Sequence, residues 1–280
     1  SGLEKGLSFP ASREKALLAH FPEKGIDKSE LREILRSSNN ILGIEYLKAL
    51  KRLGSKIKPF TIRRVSNRYN DTEMTGIISS ASSIREYLSS GADPCQVPAV
   101  LPIPDAAAEI LEREFKLGRG PVFIKDFENI LLSVTRIMSP DQMKTYPFVS
   151  EGLENRIKQA ALSSGSLEEM VDVINTKRYT QTRIQRILFN FLTGLTEHEF
   201  RQFNERGGPQ YARVLGFNSK GRTLLSKMKK TCSIPVIVKT ANFKNSSGLL
   251  VRRMLEIEAA ATDIYVLGYR NPDFRKGGQE

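Results

Sequence analysis

Residues 79–85 read Ser-Ser-Ala-Ser-Ser-Ile-Arg, and this stretch restricts the fold and the function of the 280-residue chain more than any other. It leads into Ile84, Tyr87 and Leu88, which recur at helical spacing. Because serine is a preferred residue at helix starts, the pattern predicts a helix that begins within the serine cluster. Gly91 and Pro94 are typical of its end.

The same stretch is suited to binding phosphate. Backbone N–H groups, hydroxyls and the positive end of the helix dipole all favour an anion at a helix start, and Arg85 adds a guanidinium one turn in. The alternative is that the serines only cap the helix, as they do in many helices that bind no ligand. The residues alone leave both interpretations open.

Two upstream segments point toward the same place. Asn39 and Asn40 are suited to cap a helix over residues 42–53, where an amide pair can face a nucleotide or serve as a plain cap. Residues 58–65 alternate polar and apolar side chains, which predicts a strand that carries Arg64. Since ligands gather outside the carboxyl ends of strands in α/β sheets, these segments can converge on one site.

The second half of the chain is predicted to be mainly helical. Apolar residues three and four apart predict helices over residues 105–115, 127–138, 153–163, 167–175, 180–192 and 249–267. Residues 211–217, 220–230 and 234–240 instead predict a strand, a helix and a strand, which together form a small βαβ insert. Prolines between residues 98 and 104 indicate a linker, so we expect two domains over residues 1–95 and 96–280.

Positive charge is concentrated in one part of the sequence. The chain has a net charge of +12 and a pI near 9.7. Residues 175–230 contain twelve Lys or Arg and three Asp or Glu, a net charge of +9. Such a clustered excess favours a polyanionic partner, although basic surfaces also serve solubility.

Within this window, residues 175–186 form the candidate RNA-binding motif. Its members combine positive charge with an aromatic ring on which a base can stack, and they are Lys177, Arg178, Tyr179, Arg183 and Arg186. Thr180 is suited to cap the helix that follows. The alternative is an ordinary solvated helix face, which the scarcity of neighbouring carboxylates disfavours.

Several other classes of protein do not fit the sequence. No run approaches the roughly 20 apolar residues of a membrane span, and the first ten residues lack the layout of a signal peptide. Cys95 and Cys232 lie far apart, and His20 and His198 are isolated, so we expect a cytoplasmic protein without a bound metal. Glu151 and Glu154 are interpreted as structural, with Glu154 paired to Lys158 on one helix face.

The serine stretch resembles the phosphate motif of the HIGH-type nucleotidyltransferases. Other segments narrow the resemblance to the bacterial tRNA(Met) cytidine acetate ligase family, which the chain is similar to from about residue 6 to residue 269. These segments are residues 39–50, 151–157, 176–188, 213–217 and 261–265. The resemblance implies an α/β fold in which the rear portion of a Rossmann-like domain precedes a mainly helical domain with the βαβ insert.

The resemblance also implies an activity. Such enzymes activate acetate with ATP to an acetyl-adenylate and transfer the acetyl group to N4 of the wobble cytidine of elongator tRNA(Met). The family's ATP-binding asparagine and arginine match Asn39 and Arg64, while Ser82 and Arg85 match positions that face the phosphates. Mg²⁺ is expected only as the counter-ion of ATP, and acetate is the co-substrate.

The chain departs from the family pattern in two respects. It lacks the strand and HxGH-type loop with which the family opens, so we expect a fragment, or a protein that needs a second chain for that loop. Ser66 and Arg68 also stand where small residues are expected. Two other functions therefore remain open from the sequence: a non-catalytic RNA-binding module and an adenylyltransferase acting on a small metabolite.

Overall fold

The computed structural model describes residues 9–21, 27–62, 79–91, 101–240 and 248–278. The chain divides into two compact units, Ser1–Glu109 and Ile110–Glu280. The predicted domain boundary after residue 95 lies outside the described residues.

The first unit is built from helices in its described part. They are α1 (Phe9–His20), α2 (Lys28–Arg36), α3 (Ser38–Arg52), α4 (Ala81–Ser89) and the start of α5 (Asp105–Lys116), within which the division between the units falls. Helices α1 to α3 pack together, and Leu31 and Leu35 of α2 are buried between them. Arg36 of α2 pairs with Glu14 of α1 at 3.2 Å.

The prediction of a strand over residues 58–65 is wrong for residues 58–62, which are the part of this range that the structure describes. Residues 55–62 are neither helix nor strand, and the remaining positions lie outside the described residues. The side chains of Phe60 and Ile62 are 90% and 87% exposed. A strand needs a partner to accept its hydrogen bonds, and the described residues of this unit contain none.

The second unit is built mainly from helices, two of which, Pro140–Met143 and Glu197–Glu205, were not predicted from the sequence. They are α6 (Glu128–Ile137), α7 (Pro140–Met143), α8 (Leu153–Ser163), α9 (Leu167–Ile174), α10 (Gln181–Thr193), α11 (Glu197–Glu205), α12 (Ser219–Thr231) and α13 (Leu249–Tyr265). Short 3₁₀ turns cover Ile124–Phe127, Val266–Gly268 and Pro272–Phe274. The helices predicted for this half are thus confirmed, with ends shifted by a few residues.

Helices α6, α8, α9 and α10 enclose the core of this unit. Its fully buried side chains are Leu131, Met143, Leu153, Ile157, Met170, Ile174, Ile184, Ile187 and Leu188. Arginines from neighbouring helices complete the helix ends. Arg136 donates to the carbonyl oxygens of Ala161 and Ser164 at 2.9 and 2.8 Å. These carbonyls lie at the end of α8, where no intrahelical N–H group is left to bind them.

The βαβ insert predicted from the sequence is present. Strands β1 (Ala212–Arg213) and β2 (Val236–Ile237) are parallel, with Ala212 opposite Val236, and α12 connects them. The strands are shorter than predicted, with two residues each. Together with the helices, this parallel pair makes the described chain a mainly helical α/β structure. None of its described helices has both the length and the apolar character to cross a bilayer.

Candidate functional site

The serine stretch opens α4 as predicted. The Ser80 hydroxyl accepts a hydrogen bond from the Ser83 backbone N–H at 3.0 Å, and the Ser83 hydroxyl donates to the Ser80 carbonyl oxygen at 2.8 Å. Both serines are buried. These two residues therefore perform the capping role that the alternative interpretation gave to the whole cluster.

The remaining polar groups of this helix start are differently placed. Arg85 is exposed and its Nη2 donates to the Ser82 hydroxyl at 3.4 Å, so the two side chains lie on one side of the first turn. The Ser79 hydroxyl is buried and has no hydrogen-bond partner among the described residues. A helix start with a guanidinium and hydroxyls outside the capping bonds has the donor set that binds phosphate.

Asn39 does not occupy the predicted position. Helix α3 begins at Ser38, and the Ser37 hydroxyl accepts from the Asn40 backbone N–H at 3.5 Å, so Ser37 is the cap. Serine and asparagine cap about equally well, and the helix extends further upstream than the apolar pattern indicated. Asn39 instead lies exposed in the first turn, where its amide makes no hydrogen bond to another described residue.

The structure describes three of the four residues predicted to contact ATP. Ser82 and Arg85 lie together on α4, and Asn39 lies on the first turn of α3. No hydrogen bond joins Asn39 to either of them in the described part of the chain. Arg64 lies outside the described residues.

The predicted RNA-binding motif forms a basic surface where α10 begins. We call Lys177, Arg178, Arg183 and Arg186 the α10 basic surface. Lys177, Arg178 and Arg186 are exposed, and Arg183 is half-buried. Neither Lys177 nor Arg186 forms an ion pair with a carboxylate that the structure describes, so their charges face solvent uncompensated.

Two arginines of this surface bind the loop of residues 148–151. Arg183 donates through Nη2 to the Phe148 carbonyl oxygen at 2.7 Å and to the Ser150 hydroxyl at 3.2 Å. Arg178 pairs with the carboxylate of Glu151. Phe148 and Glu151 have φ values of 69° and 62°, in the left-handed region that bulky residues rarely adopt. The arginines therefore hold a backbone conformation that the loop would not favour alone.

Tyr179 has a different environment from the one predicted. Its side chain is only 8% exposed, and the guanidiniums of Arg183 and Arg178 lie 5.2 and 5.9 Å from its ring centre. A ring so covered offers little area to a base. In this conformation Tyr179 supports the two arginines by cation–π contact.

Glu154 does not form the predicted surface pair with Lys158. Its side chain is buried, next to Asn155 at 3.2 Å and Lys144 at 3.9 Å. Lys158 instead donates to the carbonyl oxygens of Arg136 and Met138, with 2.9 Å to the latter, at the end of α6. Those carbonyls lack intrahelical donors, so they compete successfully with the carboxylate.

Sequence reasoning also missed an ion pair between α11 and α13. Arg253 Nε donates to Glu199 at 2.6 Å, and Glu199 also accepts from the Thr196 hydroxyl at 2.8 Å. Burial acts to raise the pKa of Glu199, but the hydrogen bonds from Arg253 and Thr196 outweigh it and hold that pKa below its ordinary value. The neighbouring His198 is exposed.

Comparison with known proteins identifies the family to which the chain belongs. A model described as HIGH Nucleotidyl Transferase matches residues 1–280. A tRNA(Met) cytidine acetate ligase of Acetivibrio thermocellus is 49% identical over 279 residues, which make up 99% of this chain and 66% of the relative. The chain therefore spans slightly less than two thirds of that relative's length. The match confirms the resemblance drawn from the motifs.

Solved structures agree. Thermotoga maritima TmcAL in its apo form I is 33% identical, with a TM-score of 0.88 over 98% of this chain and 66% of that one. The same protein bound with alpha-thio ATP, in form II, is 32% identical, with a TM-score of 0.85 over 98% of this chain and 65% of that one. The chain thus shares the backbone of a protein whose structure holds an ATP analogue.

Proposed function

Because the chain belongs to the HIGH nucleotidyltransferase family, we propose that its activity is that of a tRNA(Met) cytidine acetate ligase. Such an enzyme joins acetate to N4 of the wobble cytidine of elongator tRNA(Met) at the expense of ATP, and the proposed place of action is the cytoplasm. The observation that carries the proposal is the 49% identity to a ligase of this name, sustained along 99% of the chain.

ATP is proposed to bind at the start of α4. The Ser82 hydroxyl and the Arg85 guanidinium lie on one side of the first turn, which suits phosphate oxygens. Asn39 is proposed as a contact to the nucleotide, since its amide is exposed. Arg64 completes the proposed set by its position in the family motif. The alpha-thio ATP bound to Thermotoga maritima TmcAL supports ATP as the ligand.

The chemistry proposed for the site is charge stabilisation and positioning. A carboxylate oxygen of acetate attacks the α-phosphorus of ATP, and pyrophosphate leaves with the electron pair of the broken P–O bond. The N4 amine of cytidine then attacks the acetyl carbon, AMP leaves, and one proton passes to solvent. Arg85 would stabilise negative charge on the phosphates during the first step, with Mg²⁺ as the proposed counter-ion.

The tRNA is proposed to contact the α10 basic surface. The contacts to the loop of residues 148–151 hold part of this surface in place before binding, which limits the conformational entropy that the protein loses when tRNA binds. Lys177 and Arg186 supply uncompensated charge for phosphates, while Arg178 and Arg183 hold the supporting loop. Tyr179 is proposed as the support of these arginines, because its ring is buried.

The first half-reaction tests the proposal. The gene product that contains this sequence should exchange labelled pyrophosphate into ATP only when acetate is present, because an acetyl-adenylate must form and reverse. An Arg85→Ala variant should lose the exchange. If calorimetry detects tRNA binding but no ATP binding, the chain is instead a non-catalytic RNA-binding module. If another small metabolite supports the exchange and acetate does not, it is a metabolite adenylyltransferase.

A further inference from the structure

The βαβ insert has a cleft of its own, of about 410 Å³. It lies between α12 and the end of β2. Its apolar floor comes from Phe217, Leu225, Val236 and Val238, and its rim from Arg222, Lys229 and Lys239. The Phe217 side chain is 48% exposed, so its ring is accessible, whereas Val236 is buried at 7%.

The sequence explains how an aromatic ring comes to lie beside this helix. The Asn218 side chain caps α12 by accepting from the Gly221 N–H at 2.9 Å. A Cβ at position 221 would meet the Cβ of Phe217 at 2.9 Å, so only glycine lets Phe217 fold against the first turn. Arg222 and Lys229 are seven residues apart, which places both on the same face of α12.

The charge around the cleft is of one sign. Helix α12 contains five cations and no carboxylate, and the cations are Lys220, Arg222, Lys227, Lys229 and Lys230. None of the five forms an ion pair with a residue that the structure describes, and the residues that line the cleft include no Asp or Glu. An apolar floor beneath three cations is therefore complementary to a flat, apolar ring that carries phosphates.

We propose that this cleft binds an unpaired nucleotide of RNA. The base lies against Phe217 and the apolar floor, and the adjoining phosphates contact Arg222, Lys229 and Lys239. Unpaired nucleotides are recognised in this way, by stacking on aromatic side chains beside a basic groove. The cleft is separate from the residues of the α10 basic surface. It deepens the proposed function and rests on it, since the RNA that supplies the nucleotide is the tRNA substrate.

RNA is favoured over a free nucleotide because the charge extends beyond the cleft. Lys220 and Lys227 are also seven residues apart, but helical spacing places them on a different face of α12. A single mononucleotide would leave them unused, whereas a polyanion passing over the insert is attracted by all five cations. This difference also provides a matched control on the same helix.

Fluorescence anisotropy of the full chain with a labelled single-stranded oligouridylate of about 12 nucleotides tests the cleft. Phe217→Ala should weaken binding by about fivefold or more, because stacking is removed. The double variant R222Q/K229Q should lower the salt slope of binding by about 1.4, because two phosphates are no longer neutralised, at about 0.7 each. The control K220Q/K227Q removes the same charge and should lower the slope less.

Three results would overturn the proposal: wild-type affinity in Phe217→Ala, equal losses in the two double variants, or equal competition by duplex RNA or by a free mononucleotide. Phe217→Leu keeps the apolar volume without the ring, and an unchanged thermal unfolding curve in this variant separates the removal of stacking from a failure to fold. If the wild-type protein does not acetylate tRNA but binds the oligonucleotide through the cleft, the result counts against the proposed enzyme alone. If the wild-type protein acetylates tRNA and the cleft variants bind the oligonucleotide as tightly as it does, the result counts against the cleft alone.

Discussion

Arg183 on α10 holds the backbone of Phe148 with two guanidinium nitrogens, Nη2 at 2.7 Å and Nε at 3.3 Å from the Phe148 carbonyl oxygen. Phe148 has a φ of 69°, so the arginine stabilises a conformation that is costly for this side chain. The neighbouring Arg186 makes a cation–π contact to the Phe148 ring, at 5.2 Å, and no hydrogen bond to a residue that the structure describes. The two arginines of one predicted motif therefore have different roles.

Replacing Arg183 by alanine should destabilise the protein. The Phe148 carbonyl oxygen would lose its charged donors, a loss of about 1–3 kcal/mol in the free energy of unfolding. Arg186→Ala is the matched control and should cost about 1 kcal/mol or less, because a partly exposed cation–π contact is weak. Urea unfolding curves of the two variants measure the difference, and equal losses would contradict a bracing role for Arg183.

Removing Lys177 and Arg186 together should weaken tRNA binding and should lower the free energy of unfolding by only about 1 kcal/mol or less. Each phosphate that the protein no longer neutralises should reduce the salt slope of binding by about 0.7–0.9, so the slope of the double alanine variant should fall by up to about 1.8. Lys51 and Arg52, both exposed at the end of α3, provide a control that removes the same charge elsewhere. A filter-binding titration over several salt concentrations measures the slope. An unchanged tRNA affinity in the Lys177 and Arg186 variant would favour an enzyme that acts on a small metabolite.

Two serines of the α4 start should respond differently to alanine. Ser82→Ala should weaken ATP binding by about tenfold or more, the loss expected for a hydrogen bond to a charged group, and leave stability nearly unchanged. Ser80→Ala removes the helix cap and should lower the free energy of unfolding by about 1 kcal/mol. Calorimetric ATP titration with thermal unfolding separates the two effects. ATP affinity that is unchanged in Ser82→Ala would remove this residue from the site.

Stability should fall in acid partly through Glu199. Its folded-state pKa lies below the ordinary value of 4.5 because of hydrogen bonds from Arg253 and Thr196. A carboxyl with a depressed folded pKa contributes stability that is present above the unfolded pKa and is lost as the pH falls through the folded pKa. The difference in unfolding free energy between the wild type and Glu199→Gln should therefore shrink below about pH 4.5. A difference that stays constant from neutral to acidic pH would exclude this contribution.

Local sequence signals predicted local structure well. The Ser80 cap depends on residues within one turn, and the βαβ insert depends on three short patterns that lie close together in the chain. Signals of this kind act through neighbours along the chain, so the sequence contains the required partners. The shift of the α3 cap from Asn39 to Ser37 is the expected size of error, since both residue types cap helices.

Roles that depend on distant partners could not be predicted in this way. Lys158 is four residues from Glu154, but it donates to carbonyls at the end of α6, about 20 residues away in sequence. Tyr179 stands between cations in the sequence, but the packing of the helices buries its ring. Both outcomes follow from unsatisfied carbonyls or apolar surface that only the folded chain brings near.

Mapping the acetyl group on tRNA tests the central claim most directly. Elongator tRNA(Met) incubated with ATP, labelled acetate and the gene product that contains this sequence would be digested and analysed by mass spectrometry. The proposal predicts N4-acetylcytidine at the wobble position, dependent on ATP and absent with the Arg85→Ala variant. If the wobble cytidine stays unmodified although the protein binds ATP and catalyses the acetate-dependent pyrophosphate exchange, the result contradicts the proposal.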